Sequence, residues 1–132
     1  MKYLVDSDVL IDFFNDDVLV IQRVDQLLDE GVAISTIAYM EVLEGKLKTQ
    51  TLDDAREDLA IFMQLVTSIS VTQREAARCA VIRRYLRANN RRVRPRALDL
   101  LIAATAIEHD LVLVTRNHDD YHDIPDLQMI NL

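Results

Sequence analysis

Tyr3-Leu4-Val5-Asp6-Ser7-Asp8-Val9-Leu10-Ile11 decides the fold class. Residues 2–5 read as a short buried strand. Val9 to Phe14 then predicts a helix, with Ser7 placed to cap it. The same strand-to-helix alternation continues along the chain. Asp16-Asp17 break the first helix, and Leu19/Val20, Val24 and Leu27/Leu28 give helical spacing over residues 18–28. Gly31 suits a helix C-terminus, and Val32-Ala33-Ile34 a second strand. Ser35 is placed to cap a helix over 36–47, and Leu52, Ala55, Leu59, Phe62, Met63 and Val66 predict another over 52–66. Ile69-Ser70-Val71 predicts a short strand, with Thr72 capping a helix over 73–89. Residues 96–109 are apolar on nearly every side, which predicts a buried helix. Strands follow at 111–114 and near 127–130, separated by a polar turn over 115–121. Strands alternating with helices predict an α/β fold with a parallel sheet, one domain over residues 1–132.

Composition narrows the class. Half the residues are hydrophobic, which excludes a disordered chain. Two Gly and two Pro are too few for an all-β fold with many tight turns. The single Cys79 excludes an intramolecular disulfide and fits a reducing cytoplasm. No apolar run approaches the roughly 18 residues of a membrane span, and the N-terminus does not read as a signal peptide. The net charge of −7 is unevenly distributed. Nine of the twelve arginines lie between Arg74 and Arg96, opposed only by Glu75, so that segment carries +8 and the remainder −15. Such asymmetry points to a polyanionic partner, which the average charge alone would argue against.

Three acids sit in apolar surroundings. Asp6 follows Tyr3-Leu4-Val5, Asp99 precedes Leu100-Leu101-Ile102-Ala103-Ala104, and Glu41 lies among Ile37, Ala38, Met40, Val42 and Leu43. Carboxylates are rarely buried unless paired or metal-bound. In parallel α/β sheets ligands bind outside the carboxyl ends of the strands, where Asp6, Asn117, Asp119 and Asp120 all fall. Two ionised carboxylates about 4 Å apart repel by roughly 4 kcal/mol at an effective dielectric of 20. Protonation relieves that repulsion, and so does a cation. Oxygen-only ligands select Mg²⁺ or Mn²⁺ over zinc. His118 and His122, at i and i+4, lack a third partner for zinc. The residues thus point to metal-dependent hydrolysis of a phosphodiester or phosphate ester. Spacing leaves Asp6 open between a strand-end acid and a ligand, Asp99 between a helix cap and a ligand, and Glu41 between a ligand and an arginine's partner. Asp8 and Asp12 read as solvated helix faces. No Gly-rich phosphate loop is present.

Four blocks together resemble the PIN-domain family, particularly its VapC toxins. They are residues 3–11, Ser35-Thr36-Ile37-Ala38-Tyr39-Met40-Glu41-Val42-Leu43-Glu44-Gly45, Asp99-Leu100-Leu101-Ile102-Ala103-Ala104-Thr105-Ala106, and Leu113-Val114-Thr115-Arg116-Asn117-His118-Asp119-Asp120-Tyr121. The resemblance spans nearly the whole chain. It implies a three-layer α/β/α sandwich and Mg²⁺- or Mn²⁺-dependent endoribonuclease activity on structured RNA, transfer or ribosomal. Asp6, Glu41 and Asp99 match the family's metal-binding acids. Asn117 stands where many members carry aspartate, and Asp120 matches another recurring acid, so the fourth corner of the site stays open between them. Ser7 and Thr115 match hydroxyl positions that orient the acids. The likeness also implies a homodimer and a small antitoxin crossing the site, with helices 18–28 and 52–66 as its groove. Arg83, Arg87, Arg91, Arg92, Arg94 and Arg96 are the candidates for RNA contact.

Two other functions compete. Asp6-Ser7-Asp8-Val9 after a strand also opens haloacid-dehalogenase-like phosphatases, with Asp6 as nucleophile and Asp8 as general acid. The chain is short for that fold, and all three lysines lie at position 48 or earlier. The other is a non-catalytic module that grips RNA or a partner. Asn117 favours it, and the three intact acids oppose it. A response-regulator receiver lacks its phosphoacceptor aspartate and its late lysine here.

Overall fold

The computed structural model describes residues 1–132. Five strands, β1 (Tyr3–Val5), β2 (Val32–Ser35), β3 (Thr67–Ile69), β4 (Val112–Thr115) and β5 (Met129–Asn131), form one parallel sheet in the order β3-β2-β1-β4-β5. Six helices connect them: α1 (Ser7–Phe14), α2 (Val18–Leu28), α3 (Thr36–Lys46), α4 (Leu52–Met63), α5 (Gln73–Ala88) and α6 (Ala97–Glu108). Short 3-10 turns lie at Arg94–Arg96 and His118–Asp120. Right-handed crossovers put α1–α4 on one face and α5 with α6 on the other, matching the contacts within each group. This is the three-layer α/β/α sandwich that the sequence led one to expect.

Burial follows from that layering. Leu4, Val5, Ala33, Ile34, Leu113 and Val114 on the inner strands are fully buried, because helices cover both faces of the sheet. α6 buries Leu100, Ile102, Ala103, Ala104, Thr105 and Ala106, so it presents no polar stripe. Gly31 closes the turn after α2 at φ +95°, and a Cβ there would lie 2.8 Å from the Cα of Met1.

Three local expectations change. Ser7 does not cap α1. Asp6 does, its Oδ1 accepting from the Ser7 backbone N–H at 2.8 Å. β3 lies at Thr67–Ile69 rather than 69–71, pairing Ala33 with Thr67 and Ser35 with Ile69. It is an edge strand, so exposed Thr67 and Ser68 carry no apolar alternation for a sequence reading to detect. α4 ends at Met63, short of residue 66.

The chain order also fixes where a ligand can sit. Connections run outward from β1 through β2 to β3, then jump across β1 to β4 and β5. The order reverses between β1 and β4, and a crevice opens there at the carboxyl ends of the two strands.

Candidate active site

The crevice is bridged by acids. The Asp6 backbone N–H continues the ladder to the Val114 carbonyl at 2.9 Å. Its carboxylate is 3% exposed, and Oδ2 accepts from the Thr115 hydroxyl at 2.9 Å. Asp8, in the first turn of α1, accepts from the Val9 N–H at 2.7 Å and the Arg116 N–H at 2.9 Å. The strand-to-helix turn and the end of β4 are thus joined through two carboxylates. Exposed Arg116 strengthens the joint, donating to Asp12 at 2.8 Å and Asp17 at 3.1 Å. Asp12 is therefore ion-paired, not merely solvated.

α3 brings Glu41 to the same end, and α6 brings Asp99 in its first turn. Asp99 is not the cap of α6; residue 96 holds that position. Its Oδ1 accepts from the hydroxyl of buried Tyr121 at 3.3 Å. Glu41 is half-buried, finds no arginine, and its Oε1 is buried without a hydrogen-bond partner. Asp120 accepts from the Asn117 side-chain amide and lies 3.9 Å from the Arg92 guanidinium.

The electrostatics show the acids acting on one another. Burial, reinforced by the Asp8 charge, pushes the Asp6 carboxyl up to about 7. Burial pushes Asp99 up to about 6, with Asp120, Glu41 and Asp8 adding repulsion. Glu41 is raised mainly by burial, then by Glu44 and Asp8, while Ser7 opposes the shift. Asp8 is raised by burial, against hydrogen bonds from Arg116, Val9 and Thr115. The Tyr121 phenol is pushed upward by burial and by Asp6 and Asp99, so it stays a donor. Protein cations do not resolve this repulsion: Arg116 holds Asp12 and Asp17, and Arg92 reaches only Asp120.

A divalent cation fits the donor set. The ligand atoms are carboxylate oxygens, the hard donors that suit Mg²⁺ and Mn²⁺. The unpartnered Glu41 Oε1 is a buried acceptor of the kind a cation would satisfy. A cavity of about 320 Å³ beside Glu41 and Asp99 has Arg94 on its wall, leaving room for an anionic group near the acids.

Among the residues singled out from sequence, the structure groups Asp6, Glu41, Asp99 and Asp120 with Ser7 and Thr115. Asn117 meets the group through Asp120 rather than in place of it. Asp8 was missed as a member. A residue two positions beyond a cap lies in the first helical turn, and here that turn faces the end of β4. Tyr121 was missed too, although it is a large ring set against polar neighbours in the 115–123 segment. Arg87, Arg91, Arg92 and Arg94 are exposed and Arg83 is half-buried. Arg96 is a correction. It is 2% exposed, and its guanidinium donates to Asp123 at 2.7 Å and to the carbonyls of Arg92 and Asp120. It anchors the basic connection and is not available to RNA. His118 and His122 also gain a third neighbour, since Asp119 places a carboxylate oxygen within 4.8 Å of their ligating nitrogens. All three are exposed and stand outside the acidic group.

Known structures share this architecture. The chain matches VapBC2 from Rickettsia felis, solved bound to a promoter DNA fragment, at 24% identity and a TM-score of 0.87 over 100% of this chain and 99% of that one. It matches FitAcB from Neisseria gonorrhoeae at 25% identity and 0.85, over 98% and 97%. A toxin–antitoxin complex from Klebsiella pneumoniae matches at 28% identity and 0.73, over 98% and 97%. Comparison with curated proteins gives no match. The family model for the PIN domain covers residues 3–127, from the first strand to the approach to the last. That span takes in all four acid-bearing segments, and the chain belongs to the PIN domain family.

Proposed function

We propose that this protein is a VapC-type toxin, a Mg²⁺- or Mn²⁺-dependent endoribonuclease that hydrolyses structured RNA and is neutralised by a small antitoxin. The observation that carries the reading is the convergence of Asp6, Asp8, Glu41 and Asp99 at the β1/β4 crevice, with every one of these carboxyls raised. Asp6, Glu41 and Asp99 would hold the cation, with Asp8 and Asp120 at its margin. Bound there, Mg²⁺ or Mn²⁺ supplies Lewis acidity toward a phosphoryl oxygen and lowers the pKa of water. Thr115 fixes one oxygen of Asp6, and the Ser7 N–H fixes the other. Tyr121 holds Asp99 by one oxygen and leaves its second oxygen to the crevice. These bonds set the acids in place before substrate arrives. The exposed arginines at 91, 92 and 94 would position the phosphate backbone without reading its sequence.

Val18, Leu19, Leu52 and Ile61 on α2 and α4 are exposed apolar side chains, which supports an antitoxin lying there. A homodimer in the cytoplasm completes the reading; no helix is long and apolar enough to cross a membrane. The phosphatase alternative would require a lysine beside Asp6. Lys2 instead pairs with Glu30, and Lys46 lies over the Phe14 ring and pairs with Asp58.

Purified protein, freed of any antitoxin and incubated with cellular RNA, tests the proposal. Discrete cleavage is expected with Mg²⁺ or Mn²⁺, lost on chelation and in Asp6→Asn or Asp99→Asn. Cleavage that survives both substitutions would sink the assignment. A trapped phosphoenzyme on Asp6 would favour the phosphatase, and RNA binding without cleavage the non-catalytic module.

A further inference from the structure

We propose that the cavity between α5 and the segment following Asp120 takes one unpaired base of the RNA, next to the bond to be cut. The idea rests on the ribonuclease reading and adds a substrate subsite to it. The cavity is about 400 Å³, and Tyr85, Asn89, Arg91, His122 and Asp123 are in its lining.

Four observations favour a base here. Tyr85 is 45% exposed, a ring that α5 leaves in solvent rather than in the core. The same ring borders a second cavity of about 290 Å³, so it stands as a ridge between two hollows. Aromatic side chains bind single-stranded nucleic acid by stacking, because every base has a π-face. Asn89 is held in place, its Nδ2 donating to the Tyr85 carbonyl at 2.8 Å, which leaves Oδ1 to accept from a base edge. Arg91 supplies a guanidinium for the attached phosphate or for stacking. Asp123 would repel that phosphate if it were free. It is paired with Arg96 at 2.7 Å, and that pairing holds its carboxyl below the usual range against the opposing effect of burial.

Position connects the cavity to the chemistry. His122 lies two residues beyond Asp120, so the chain between them spans at most roughly 7 Å. Its ring stacks on that of His118, the residue next to Asn117, with centroids 5.6 Å apart. On the basic connection, Arg91 lines the cavity while its neighbour Arg92 reaches toward Asp120 at 3.9 Å. A strand seated with one base on Tyr85 would therefore pass its next phosphates along Arg92 toward the acids.

The chain contains no tryptophan, so Tyr85→Trp creates a single indole reporter at the ridge. It is titrated, in chelator so that nothing is cut, with a single-stranded oligoribonucleotide of about eight nucleotides. Binding is followed in parallel by the anisotropy of end-labelled RNA. Indole quenching is expected at the midpoint given by anisotropy, and none with an abasic strand of equal length. Ile61→Trp, on exposed α4, should show no quenching. Tyr85→Ala should weaken binding about tenfold, while Tyr85→Phe should keep it. If RNA binds but the Tyr85→Trp indole stays unquenched, or the abasic strand quenches equally, the base subsite is overturned and the ribonuclease reading stands. If the wild-type chain binds no RNA, both fall together.

Discussion

Asp8 shows how much one side chain depends on its neighbours. On a helical wheel it is a surface acid, but in the fold it accepts from the Arg116 N–H at 2.9 Å and lies 3.4 Å from the Thr115 hydroxyl. Asp8→Asn should therefore weaken Mn²⁺ binding about tenfold while leaving the protein folded, measured by calorimetric titration with circular dichroism as the control. Thr115→Val removes the donor that fixes Asp6. Metal affinity and cleavage should fall by roughly 10- to 100-fold. An unchanged Mn²⁺ affinity in this variant would show that the Thr115–Asp6 bond orients nothing.

At the scale of elements, the basic connection between α5 and α6 divides into two kinds of arginine. Arg96 is buried and paired with Asp123, which ties the start of α6 to the segment after Asp120. Breaking a buried pair strands its partner, so Arg96→Met should cost about 3–5 kcal/mol, read from the denaturant midpoint. Arg91, Arg92 and Arg94 are exposed and carry no such structural duty. Their joint change to Glu should leave the unfolding midpoint within experimental scatter and lower RNA affinity strongly, with a shallower salt dependence. Unaltered RNA affinity would remove the basic arm from the proposal. At the other end of the sandwich, Thr72 and Glu75 form a capping box for α5, and the Glu75 carboxylate also meets His109, the C-cap of α6, at 2.7 Å. Sequence made Thr72 visible as a cap; the His109 contact joins residues 34 apart and needed the fold.

For the whole molecule, the crevice acids set an unusual pH dependence. Asp6 titrates near 7 in the metal-free fold, above the 3.8 of a free aspartate. The native state binds the extra proton between those values, so stability from this group is full below about 3.8 and declines as pH rises through 7. Asp99, near 6, acts with the same sign. Glu75 has the opposite sign: held down to about 2 by Thr72 and His109, it loses its contribution only as pH falls from about 4.5 toward 2. Metal-free protein should thus melt at lower temperature at pH 8 than at pH 5.5, and Asp6→Asn should flatten that slope. For Asp6 alone the loss between pH 5.5 and 8 is at most about 2 kcal/mol, because its titration is complete near 7. Adding Mn²⁺ at pH 7 should raise the melting temperature and release protons, detectable as a buffer-dependent binding enthalpy. A melting temperature that rises with pH between 5.5 and 8 in the metal-free protein would contradict the crowding of acids.

The sequence by itself determined the class of fold and pointed to three of the acids that the fold brings to the crevice. Short apolar runs ending in caps at Ser35 and Thr72 set the alternation of strand and helix, because local propensity and periodicity act over a few residues. Asp6, Glu41 and Asp99 were legible because a carboxylate inside an apolar run is costly wherever the chain folds. Tertiary structure alone decided what meets what. β3 shifted because an edge strand has little apolar pattern to show. Arg96 went inside because Asp123, 27 residues on, was there to receive it. Asp8 and Tyr121 joined the crevice because reversal of strand order between β1 and β4 brings residues over a hundred positions apart, such as Asp6 and Thr115, into hydrogen-bonding distance. Contacts of that separation depend on packing and chain topology, which no short window of sequence contains.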